Sequence, residues 1–86
     1  MILNIPTPTP GTVMHLMYLS ADKTLSERLV RITSATSTHL QGIDLIKIAP
    51  RCFICEGLYW AMPVSSQQEH DDLYYLLYVR AFHKTP

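Results

Sequence analysis

The sequence predicts a mainly β, α+β domain: five short strands followed by one C-terminal helix. Three observations predict it. From residue 12 to residue 64, apolar residues alternate over short runs that polar or proline-bearing turns interrupt, the period of two that belongs to strands. At the centre, residues 38–64 read as two apolar strands folded about a short turn, then a third short strand. Pro50 marks the break, because proline has no N–H to give a ladder. After Ser66 the period becomes helical.

The totals bound the rest. Eighty-six residues make one domain, and 48% apolar composition is that of a folded globule and not of a disordered tail. Seven Lys and Arg cancel seven Asp and Glu, which argues against a protein living mainly on phosphate contacts. The charge is unevenly spread, however. Arg28, Arg31, Lys47 and Arg51 lie in the middle against Glu27 and Asp44, while Glu69, Asp71 and Asp72 cluster later. Two cysteines are too few for a disulfide scaffold, and the N-terminus has no basic segment followed by an apolar one, so a reducing cytoplasm is expected. No run approaches the ~18 apolar residues of a membrane span.

In chain order, residues 1–11 are a leader whose Thr7-Pro8-Thr9-Pro10 alternation predicts an extended, non-helical segment. Thr12 to Ser20 is the first strand, with Val13, His15, Met17 and Leu19 on one face and Met14, Leu16 and Tyr18 on the other. Both faces are mostly apolar, as in a small barrel whose strands lie between two layers. Ala21 to Thr24 is a hairpin tip, and Leu25 to Thr33 is the second strand, with Arg28 and Arg31 on opposite faces. Ser34 to Thr38 is a polar connection. His39 to Ile43 is the third strand, Asp44 to Pro50 a turn or one helical turn, and Arg51 to Cys55 the fourth strand. Glu56-Gly57 turns the chain into a fifth, Leu58 to Val64. These strands make a barrel domain at 12–64, and residues 65–86 form the helix, which packs on the barrel or on a partner. Ser66 and Glu69 have capping-box spacing. The early acids, with Arg80 and Lys84 late, suit the helix dipole. Leu73, Leu76, Leu77 and Arg80 form one stripe, and Tyr75, Tyr78, Val79 and Phe82 an adjacent one. The combined apolar arc exceeds what one side of a five-stranded sheet needs, so part of it is expected to meet another chain.

Three segments carry a resemblance. Met17-Tyr18-Leu19-Ser20 precedes a polar hairpin tip, Ser26-Glu27-Arg28-Leu29-Val30-Arg31-Ile32 follows it, and Leu40-Gln41-Gly42-Ile43-Asp44 leads to Pro50-Arg51-Cys52-Phe53. Over residues 12–64 this order resembles a WYL domain, a small Sm-like or SH3-like β-barrel of bacterial transcription regulators and phage-defence control proteins. Where the family has its Trp-Tyr-Leu, this chain has Thr38-His39-Leu40, and only the leucine is shared. The resemblance implies a five-stranded Sm/SH3-like barrel. It also implies a ligand site for a nucleic acid or nucleotide-like molecule, with Arg28 and Arg51 at the ligand-binding positions, His39 near them, and Phe53 completing an Arg-x-Phe motif. It further implies a stand-alone module of phage or mobile-element type, without the helix-turn-helix domain of such regulators.

Each candidate has a plainer reading beside it. Arginine presents a rigid fork of donors to phosphates, yet Arg28 and Arg51 also fit ion pairs with Glu27, Asp44 or Glu56. His39 suits stacking on a base or a half-exposed strand start. Cys52 and Cys55 have C-x-x-C spacing, but three residues along a strand puts them on opposite faces, so they read as core thiols and not as a zinc or redox pair. The sequence carries no nucleophile elbow, no P-loop and no paired catalytic carboxylates, so a non-enzymatic protein without cofactor or metal is expected. Two functions remain open. One is a regulatory module binding single-stranded nucleic acid or a nucleotide through Arg28, His39, Arg51 and Phe53. The other is an interaction or inhibitor protein that meets a host protein or its own copies, as a homo-oligomer, through Tyr75, Tyr78, Val79 and Phe82.

Overall fold

The computed structural model describes residues 7–82. The start of the proline-rich leader and Lys84 lie outside the described residues. Five strands, β1 (Val13–Leu19), β2 (Leu25–Ala35), β3 (His39–Asp44), β4 (Ala49–Ile54) and β5 (Leu58–Pro63), precede one helix, α1 (Gln67–Phe82). All ladders are antiparallel, in the order β4-β3-β2-β1-β5. The mainly β, α+β class read from the sequence is therefore the observed one.

Ladders join four pairs of strands. The remaining seam, between the edges β4 and β5, is crossed by a single 3-10 turn at Cys55–Gly57. The sheet is nonetheless strongly curled. β1 and β4 are three strand spacings apart, about 14 Å in a flat sheet, yet the rings of Tyr18 and Phe53 lie 5.1 Å apart. One buried cluster draws on every strand: Met14 and Leu16, Val30 and Ile32, Leu40, Phe53, and Leu58, with Cys55 from the turn. Alternation along β1 and β2 sends their other faces outward, where Leu29, with Ile46 from the β3–β4 turn, meets Leu77 of α1. Val13, Val64, Leu73, Tyr74 and Ala81 pack around them. This second layer explains why both faces of β1 are mostly apolar.

Two glycines permit specific geometry. A Cβ on Gly42 would lie 2.4 Å from the Arg31 carbonyl oxygen and 2.6 Å from Val30 Cγ1, so only glycine lets β3 approach β2 there. Gly11 has φ +94°, and Thr12 N–H donates to Thr9 O at 3.1 Å, which makes Thr9-Pro10-Gly11-Thr12 a tight turn. The leader was expected to be extended. At Pro10-Gly11 it turns instead, because proline fixes the first corner and glycine accepts the left-handed second one, and Gly11 N–H then donates to Ile32 O at 2.7 Å.

α1 begins as its sequence dictates. Ser66 Oγ accepts the Glu69 N–H at 3.1 Å, while the Glu69 carboxylate reaches Ser65, accepting its hydroxyl at 3.2 Å. At the other end, Arg80 donates to Glu27 Oε1 at 2.5 Å, and Glu27 Oε2 lies 2.6 Å from His15 Nε2. This cluster ties the end of the helix to β1 and β2. Among the described residues, no helix is long and apolar enough to cross a membrane.

Candidate functional site

The site grows from the end of the curled sheet where the β1–β2 hairpin tip faces β4. Tyr18 sits near the end of β1, and Arg28 lies on the core-facing side of β2, two residues before Val30. Arg51 faces Gly42 across the β3–β4 ladder and shares a side of β4 with Phe53. Together with Ser20, Thr24 and Ser26, these residues line a cleft of about 340 Å³. Arg28, Arg51 and Phe53, which the sequence nominated, are thus brought to one place. Phe53 is buried, so it forms the floor and packs on Tyr18 more than it offers a free ring.

His39 is not at this cleft. Its neighbour Leu40 enters the core, so the period of two turns His39 to the other side of β3, where it is exposed and lies 2.8 Å from Thr38 Oγ1. The pair of core thiols is also corrected. Cys55 is buried, but Cys52 is exposed, because Phe53 takes the inward position of β4. Among the described residues, no group of His, Cys, Asp and Glu could hold a metal ion.

The two arginines differ in their commitments. Arg28 Nη1 donates to Asp44 Oδ2 at 2.9 Å, and its Nε donates to Ser26 Oγ at 3.3 Å. Asp44 is fully buried, and its other oxygen accepts the N–H groups of Ile46 and Lys47 at 2.9 and 3.0 Å. Arg28 is therefore held in place by a satisfied carboxylate that cancels its charge. Arg51 is exposed and has no hydrogen-bond or ion-pair partner among the described residues, so it carries the uncompensated positive charge of the cleft. It also borders a second depression of about 360 Å³ with Thr33, Gln41 and Pro50.

The hairpin tip supplies what sequence reasoning missed. Asp22 lines the same cleft, and the Ser20 hydroxyl, then the Thr24 side chain and backbone N–H, hold its carboxyl below the ordinary value. It stays ionised and faces the cleft as an acid beside Tyr18 and the serine hydroxyls. The only signal in the sequence was the run of polar residues at the tip, which reads as turn chemistry alone. The cleft thus has a cationic side at Arg51, an acidic rim at Asp22, and an aromatic floor.

No protein-family model, no curated protein and no solved structure matches this chain. The resemblance to WYL domains rests on the chain's own residues.

Proposed function

We propose that this protein is a small, non-enzymatic, WYL-like binding module that takes a nucleotide-like anion, either a mononucleotide or a short single-stranded nucleic acid, in the cleft between Tyr18 and Arg51. The convergence of Arg28, Arg51 and Phe53 on one cleft carries this reading, since Arg28 of β2 is distant in sequence from Arg51 and Phe53 of β4. Arg51 is the primary phosphate contact. Arg28 keeps one face of its guanidinium on Asp44 and orients the site. Tyr18 and the Ser20, Thr24 and Ser26 hydroxyls supply a ring edge and hydrogen bonds to base and sugar.

Charge limits the ligand. With Arg28 neutralised by Asp44, and Asp22 ionised at the rim, the cleft suits one or two phosphates and not a long polyanion. A neutral chain fits such a ligand better than it fits duplex DNA. The free thiols of Cys52 and Cys55 accord with a reducing cytoplasm.

Equilibrium titration of the whole chain with mononucleotides and with labelled short single-stranded DNA and RNA tests this reading. Binding that Arg51→Ala reduces by roughly tenfold or more supports it, in line with loss of one charge-assisted phosphate contact. Binding unchanged in Arg51→Ala, or no binding to any of these ligands at low salt, overturns it.

A further inference from the structure

α1 is covered by the sheet along one side only. Leu77 is buried, with Leu73, Tyr74 and Ala81 packed beside it. The opposite side presents Tyr75, 72% exposed, then Val79 and Phe82, flanked by Leu76 and Tyr78. Gln68, Asp72, Tyr75, Val79 and Phe82 recur at alternating intervals of four and three, the spacing of a seam that pairs with another helix.

Charge identifies what covers the seam. Glu69, Asp71 and Asp72 lie in the first half of α1, and Arg80 lies in its last turn. Arg80 is held by Glu27 of β2, so among the described residues the cation left at that end is Lys47, its Nζ 5.5 Å from the centre of the Phe82 ring. The acids disfavour a nucleic acid or an anionic membrane surface. Tyr74 stacks on Tyr78 along the helix at 6.2 Å, and Phe82 is tilted against Tyr78 at 4.7 Å. A parallel helix of the same kind would set like charge on like. An antiparallel copy matches acid to base at both ends and opposes the two macrodipoles.

We propose that a second copy of this chain packs its α1 antiparallel on this seam, giving a twofold dimer that crosses between Tyr75 and Val79. Asp72 of each copy lies toward Lys47 of the other, while Arg80 stays on Glu27 of its own chain. The seam alone is a small contact. Apolar surface continues from Leu76 to Leu73, which with His15, Trp60 and Met62 lines a groove of about 420 Å³. That extension supplies further area toward the roughly 1,200 Å² in total that a specific interface buries. The dimer does not depend on the Arg51 cleft, which α1 does not line.

Sedimentation equilibrium of the full chain, up to roughly 100 μM, tests this directly. The expected result is a shift from the 9.8 kDa monomer to twice that mass. Tyr75→Glu, at a position exposed in the single chain, is expected to return the monomer with unchanged circular dichroism. Asp72→Lys and Lys47→Glu are each expected to weaken self-association by roughly tenfold at low salt. An equal mixture of these two variants is expected to associate more tightly than either alone, because the antiparallel pair then matches opposite charges at both ends. A wild-type chain that stays monomeric overturns the proposal. So does a dimer that Tyr75→Glu leaves intact, or a mixture no tighter than its components.

Discussion

Arg28 and Asp44, sixteen positions apart, are joined by a 2.9 Å charge-assisted hydrogen bond that ties the second strand to the end of β3. The arginine side chain keeps 27% of its surface exposed and the aspartate 2%. The pair is therefore asymmetric. Asp44 satisfies three donors from inside the fold, while Arg28 can give up its partner and still reach water. Stability resides mainly in the aspartate, and Arg51 is left as the charge available to a ligand.

Asp44→Ala is expected to destabilise the fold by about 3 kcal/mol, because it leaves two turn N–H groups and a guanidinium without their acceptor. Arg28→Ala is expected to cost less, since the carboxylate keeps both backbone donors. Urea unfolding of the two variants measures the difference. A larger loss for Arg28→Ala would mean that the ion pair, and not the turn, holds this corner.

Gly42→Ala is expected to cost about 2 kcal/mol or more. The nearest obstacle to the new methyl group is the Arg31 carbonyl oxygen, and backbone in a ladder cannot swing aside as a side-chain end can. Thermal unfolding checks this, and an unchanged midpoint would show that β3 can slide away from β2.

Ile48 is the reverse case. It is 79% exposed and has φ 52°, so a β-branched residue holds a left-handed conformation with little packing in return. Ile48→Gly is expected to stabilise the protein by about 1 kcal/mol. A loss of stability on denaturant unfolding would mean that the isoleucine makes a contact that outweighs the strain.

The thiols separate by environment. Burial pushes the Cys55 thiol above its ordinary value, whereas Cys52 is exposed. Alkylation followed by mass spectrometry is expected to label Cys52 quickly and Cys55 only as the fold opens. The sign for stability follows. A folded value raised above the unfolded one gives a contribution that is full below the ordinary thiol value and is lost as pH rises through the raised one. Equal labelling rates would contradict the inward placement of Cys55.

Much of this was legible in the sequence because burial enforces periodicity. Both-faced apolarity in residues 13–19 announced a strand between two layers, and Ser66 with Glu69 announced the start of the helix. The leader turn was not, since Thr-Pro alternation reads as extended unless the single left-handed glycine after Pro10 is given weight. Of the site, Arg28, Arg51 and Phe53 were nominated by resemblance, and the fold brings them together. His39 was nominated with them, but parity decides its side: once Leu40 enters the core, its neighbour must leave. Asp22 was invisible because a turn aspartate looks the same whether or not a strand from elsewhere comes to face it. The partner of Arg28 could not be chosen among Glu27, Asp44 and Glu56 without the register that sets β3 beside β2.

The most direct test of the account is the salt dependence of binding to a short single strand, for the wild type and Arg51→Ala. One arginine–phosphate contact, that of Arg51, predicts a slope of log K against log salt of about −0.7, falling toward zero when Arg51 is lost. Matching slopes in the two proteins, or a wild-type slope near zero, would contradict an arginine-centred anion site.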